Sequence, residues 1–319
     1  MFCAYHGEDH PTGTPFNVEH VIPYSLGGSN QFTIEVCSRV NSDLGSEIDA
    51  RFQRIFPVAY QRFIRNLKSY SGEEPSILFR GTTELDGRSV RIDYEITQSE
   101  KSLVVVPSIE RENRKEGIRY QVRSSRDDFE KMLRNIGRKY PGKQIVDDAG
   151  NPVNAEELLA RAQTTVPTIR CDWEPGEWSV AAQKEFVKIA LGAAHFLLGE
   201  KYSRSSAADG LRKCLTAKDM ELPLISIRGQ IWPDPTVANL HFLYRGATPD
   251  QHLITLLHLD QRLTVFINLF GEMRGLIQIA EDPAICREIQ PNDGFVLTID
   301  PKMRTLERRT FQECLLAIS

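Results

Sequence analysis

The chain has 319 residues, 41% hydrophobic and 26% charged, with a net charge of −4. That composition describes a soluble globular protein long enough for two or three domains and excludes a disordered chain; six cysteines over this length exclude a disulfide framework. The longest nearly apolar run, residues 189–198, is too short to span a bilayer. With no basic-then-apolar leader, the expectation is a cytoplasmic protein with nothing removed and no membrane partner.

In chain order, residues 17–22 read as a short strand stopped by Pro23, with Gly27-Gly28 as a loop. Residues 32–36 form the next strand, and a helix starts near Ser38. Leu44, Ile48, Phe52 and Ile55 recur at helical spacing and bury one face, before Pro57 interrupts the run. A second helix covers 60–67. Strands at 77–82 and 89–96 flank Asp86-Gly87, a hairpin dipeptide, and 103–106 adds a third. Ser125 caps a helix over 126–138, with Asp127 and Asp128 in its first turn.

Pro and Gly between 147 and 177 place a boundary there. Residues 179–198 are the strongest helix, followed by one at 206–215. Strands are expected at 224–227, 239–244, 252–257, 263–270, 275–279 and 295–299, and a last helix at 309–317. The fold class is α+β, divided as 1–57, 58–146 and 147–319.

Chemistry concentrates at the start. Glu19 and His20 sit together at the end of an apolar run, and Asn41 follows on the first helix. A hard carboxylate and an amide oxygen suit one Mg²⁺ or Mn²⁺. The imidazole of His20 is a general base for water.

The order Glu19-His20-Val21-Ile22-Pro23, Leu26-Gly27-Gly28, Cys37 and Asn41 resembles the HNH (ββα-metal) endonuclease superfamily, over roughly residues 2–52. The resemblance implies a metal-dependent endonuclease on DNA. Glu19 and Asn41 would hold the metal, His20 would be the catalytic base, and the cut would leave 5′-phosphate and 3′-hydroxyl ends. One turn beyond Asn41, where some members carry another ligand, stands Gly45.

Members often hold a structural Zn²⁺ between two Cys-x-x-Cys pairs. Here the pairs read Cys3/His6 and Cys37/Val40, so Cys3, His6 and Cys37 give three ligands. Either His10 supplies the fourth, or apolar packing by Val40 has replaced the ion. The asparagine that orients the histidine in many members is replaced by Thr33 or a neighbour, which leaves the orienting group open.

Charge is uneven: residues 1–50 carry one Arg against seven Asp/Glu, whereas 51–143 carry 20 Lys/Arg against 13 Asp/Glu. Arg51, Arg54, Arg134 and Arg138 are therefore candidates for DNA phosphate contacts, the alternative being a solvated surface. The other expected partners are a second copy of the chain or a protein of a defence system. A restriction or anti-phage effector with a C-terminal recognition or sensing domain is favoured over genome maintenance. A non-catalytic binding scaffold with a decayed module is the competing class.

Elsewhere no motif emerges. Cys171, Cys214, Cys286 and Cys314 share no useful spacing. His195 reads as a core or boundary histidine, and His241, His252 and His258 have no catalytic context. Trp173, Trp178 and Trp232 read as packing residues.

Overall fold

The structure is a computed structural model describing residues 1–85, 88–106, 108–114, 117–124, 126–147, 149–161, 170–171, 175–219, 227–228, 250–259, 262–281 and 294–316. The expected turn at Asp86-Gly87, the cap at Ser125, the strand at 239–244, the start of the strand at 224–227 and the end of the last helix lie outside these residues. So do Trp173, Trp232, His241 and Cys286, and the side chains of Asp127 and Cys171.

The fold is α+β. Two compact units divide it: Met1–Pro75 with Glu174–Ser319, and Ser76–Trp173. The expected boundaries were 57/58 and 146/147; the observed units part at 75/76 and 173/174, and both ends of the chain share one unit. The reason is a common hydrophobic core: Phe32, Ile48 and Phe52 from the N-terminal segment pack with Phe186, Ala190, Val265 and Ile277 from the C-terminal one.

In the first unit, strands Phe16–His20 and Thr33–Cys37 pair antiparallel, with His20 opposite Thr33. The chain turns between them through Gly27 and Gly28. A Cβ on Gly28 would lie 1.8 Å from the carbonyl oxygen of Ile22, so only glycine fits this crossing. The expected helix runs without interruption from Ser38 to Arg54, as Ser38–Leu44, a π-helical segment Gly45–Asp49, and Ala50–Arg54. Leu44, Ile48, Phe52 and Ile55 are all buried as their spacing predicts. Pro57 sits in the first turn of the next helix, Phe56–Arg65, where its missing N–H costs nothing.

Helix Pro175–Leu198 packs against strand Thr33–Cys37, helix Ala50–Arg54, and strands Arg262–Leu269 and Met273–Ala280. Those two strands belong to a six-stranded antiparallel sheet, ordered Ile227–Arg228, Met273–Ala280, Arg262–Leu269, His252–Leu259, Phe295–Asp300, Thr305–Thr310. Residues 309–310, expected to open the last helix, instead end a strand; the helix is Phe311–Leu316.

The second unit holds a four-stranded sheet, ordered Arg170–Cys171, Ile77–Leu85, Arg88–Ile96, Lys101–Val105. Beside it in sequence lie an unexpected hairpin, Ser108–Arg114 with Gly117–Arg123, and helices Arg126–Lys139 and Ala155–Arg161. None of the helices described is long and apolar enough to cross a membrane.

Candidate active site

A cleft of about 750 Å³ in the first unit is lined by Asn17, Glu19, His20, Asn30, Asn41 and Asp49, with Tyr24 and Tyr70 at its side. Strand Phe16–His20 brings Asn17, Glu19 and His20; the loop after Gly28 brings Asn30. Because helix Ser38–Leu44 begins directly after strand Thr33–Cys37, Asn41 falls in its first turn. The three residues singled out in the sequence therefore meet at one cleft.

His20 Nε2 lies 2.9 Å from the side-chain oxygen of Asn30. An amide oxygen only accepts, so Nε2 carries the proton and Nδ1 the lone pair. The open question of the orienting group is thus resolved in favour of Asn30, three residues before Thr33. Tyr24 packs edge-on to the His20 ring at 5.4 Å and to Tyr70 at 5.3 Å. The Arg304 guanidinium lies 3.5 Å from the centre of the Tyr24 ring, and donates to the Tyr24 carbonyl at 2.6 Å. The ring beside the histidine is held from the far end of the chain.

Asn41 donates through Nδ2 to the Asn17 side-chain oxygen at 2.9 Å, which leaves the Asn41 oxygen as a ligand. Glu19 is more constrained. Its carboxylate lies 2.5 Å from the Lys188 ammonium, which also meets both Asp49 oxygens at 2.6 and 2.8 Å. Burial pushes the Glu19 carboxyl up, while Lys188 pulls it back. Burial raises Glu185 further, and the neighbouring Asp49 charge adds to it. Asn17, Glu19, Asn41 and Asp49 are hard oxygen donors on one cleft, Glu19 and Asp49 being shared with Lys188.

Asp49, Lys188 and Asn30 were missed in the sequence. The signal for Lys188 was available: Lys184, Glu185 and Lys188 are charged residues inside an otherwise apolar helix, and all three are buried.

The Cys3 and Cys37 sulfurs and a ring nitrogen of His10 lie within 4.8 Å of one another. Tetrahedral zinc bond lengths imply ligand separations of roughly 3.5–3.8 Å, which fall inside that bound. The expected trio contained His6; the structure brings His10 to the sulfurs and places His6 behind it, with 3.2 Å between their rings' nitrogens. Val40, partly buried, packs on the core where the second pair would have its fourth ligand.

Of the candidate DNA contacts, Arg51 is held by Asp219 at 2.9 Å. Arg54, Arg134 and Arg138 are exposed, the last two in the second unit. His252 and His195 are structural: His252 bridges the Leu26 carbonyl and the Phe270 amide, and His195 meets Ser203 at 2.9 Å.

Residues 3–57 match the family model for HNH endonucleases. The N-terminal segment is therefore an HNH module, and its presence points to nuclease-type chemistry. No curated protein and no solved structure matches the chain.

Proposed function

We propose that the chain is a metal-dependent endonuclease that hydrolyses DNA phosphodiester bonds. The observation carrying this reading is His20, fixed by Asn30 at 2.9 Å in a cleft shared with Glu19 and Asn41. With Nε2 committed to Asn30, Nδ1 is the atom that takes the proton from the attacking water. Glu19 and Asn41 would hold one Mg²⁺ or Mn²⁺, which when bound neutralises charge on the phosphate and the leaving 3′-oxygen. Tyr24 shields one edge of the imidazole and limits its swing.

The setting we infer is restriction or anti-phage defence, supported by the length of chain beyond the module. In this reading the inserted unit, which carries Arg134 and Arg138, holds DNA, and the C-terminal sheet serves recognition or sensing. A reducing cytoplasm suits the free thiols of Cys3, Cys37, Cys214 and Cys314.

The competing reading, a non-catalytic scaffold, draws support from the pairing of Glu19 with Lys188. Supercoiled plasmid incubated with the protein in Mg²⁺, Mn²⁺ or EDTA separates the two. Cleavage that needs the metal and is lost in His20→Ala supports the nuclease; plasmid that is bound but never nicked supports the scaffold.

A further inference from the structure

The HNH match ends at residue 57, yet the ion pair deepest in the cleft is closed by residue 188. The Lys188 side chain has no exposed surface, and the carboxylates it joins are 12% and 13% exposed, both facing the cleft. Asp49 ends the π-helical segment Gly45–Asp49, whose wider turn shifts the register of the module helix. Glu185, three residues before Lys188, is also fully buried, and its carboxyl oxygens make no hydrogen bond of ordinary geometry. Tyr5 donates to the Lys188 carbonyl at 3.4 Å. Two strand- and helix-borne acids of the nuclease module thus converge on a cation delivered by another segment.

The geometry points to Lys188 as a positioning residue of the nuclease centre, clamping Glu19 beside Asp49 so that the Glu19 carboxylate is aimed at the metal position. The inference rests on the nuclease reading for its function. Two carboxylates converge in a poorly hydrated place by sharing a proton or around a cation, and between Glu19 and Asp49 the Lys188 ammonium is that cation. Without the ammonium they repel, and Glu19 loses the aim that a hard divalent ion requires. Lys188 touches neither substrate nor metal. Its effect passes through Glu19, and it makes the module's metal site depend on docking of helix Pro175–Leu198. A merely structural ion pair would hold the fold and leave metal affinity untouched.

The test is Mn²⁺ binding by electron paramagnetic resonance, with Mn²⁺ titrations of plasmid cleavage alongside. Lys188→Met should weaken Mn²⁺ binding roughly 10–100-fold, the usual cost of losing a group that orients a ligand. The Mn²⁺ needed for half-maximal cleavage should rise in step, while the saturating rate falls far less, and Lys188→Arg should recover most of the affinity. Because Lys188→Met leaves buried carboxylates unpaired and can unfold, Lys188→Gln, which keeps a polar donor without the charge, is measured alongside and carries the same expectation. A folded variant of either kind with wild-type Mn²⁺ affinity overturns the inference. Wild-type protein that binds Mn²⁺ but cuts no DNA overturns the nuclease reading instead, and the Mn²⁺ affinities still decide the role of Lys188.

Discussion

His20 and Asn30 form a 2.9 Å hydrogen bond across the loop that joins the two module strands. The bond fixes both the ring orientation and the tautomer, since only Nε2–H can donate to the amide oxygen. Asn30→Ala should lower the single-turnover cleavage rate by roughly 10–100-fold, less than the roughly 10²–10⁴-fold expected for His20→Ala. Metal affinity should hold. Equal rates in Asn30→Ala and wild type would show that something else aligns the histidine.

Beneath that loop, His252 accepts from the Phe270 amide through Nδ1 and donates to the Leu26 carbonyl through Nε2, 2.8 Å away. Burial lowers its pKa to about 4. The folded state therefore holds the neutral ring, and the unfolded chain binds the extra proton first. Its contribution is complete above the unfolded value, near pH 6.5, and is lost as pH falls from there towards 4. The loss reaches about 3 kcal/mol, since each pKa unit corresponds to about 1.4 kcal/mol. Urea midpoints measured from pH 7.5 to 4 should fall over that window, and the fall should be shallower in His252→Gln. An unchanged pH slope in that variant would remove His252 as the source.

The Cys3, His10 and Cys37 group predicts one bound zinc per chain after purification without chelator. Cys37→Ser and His10→Ala should each lose it, whereas His6→Ala should keep it. Val40→Cys restores a four-ligand knuckle and should raise zinc affinity, read by competition with a chromophoric chelator. Metal analysis returning no zinc in the wild type would mean that apolar packing has replaced the ion.

The arginines divide by their partners. Arg51 is paired with Asp219 at 2.9 Å, so Arg51→Ala should leave the salt dependence of DNA binding alone and cost only about 0–1 kcal/mol of stability, as partly exposed pairs do. Arg134 and Arg138 are exposed on helix Arg126–Lys139. Neutralising both should reduce the slope of log affinity against log salt by about 0.9 for each phosphate that the pair had neutralised. If the slope is unaltered by that pair but changes with Arg51, the inserted unit is not the DNA-binding surface.

Much of the module was legible because its chemistry is local. Glu19 and His20 are adjacent, Gly28 marks a crossing that excludes a side chain, and Leu44 to Ile55 follow a helical period. Asn30 was not legible, since a loop residue ten positions from its partner leaves no periodic trace. The pairing of Lys188 with Asp49 was hidden for a different reason: they are 139 residues apart, and pairing over that distance is set by tertiary packing alone. The hairpin Ser108–Arg123 escaped because its first strand, with Glu110, Arg111, Glu112 and Arg114, carries charge on both faces, so the alternation of Ile118, Tyr120 and Val122 in the second strand had no matching pattern beside it. The joint core of the two chain ends was likewise invisible to a reading that proceeds in sequence order.

The insertion of Ser76–Trp173 between the two halves of one core has a consequence for biogenesis. On the ribosome, the histidine and its acidic neighbour emerge first, but the helix that carries Lys188 follows only after the inserted unit. Arg304, which props Tyr24 beside His20, comes later still. The cleft is thus assembled from stretches made at separate times, and its buried ion pair cannot form until the helix that follows the inserted unit has been made.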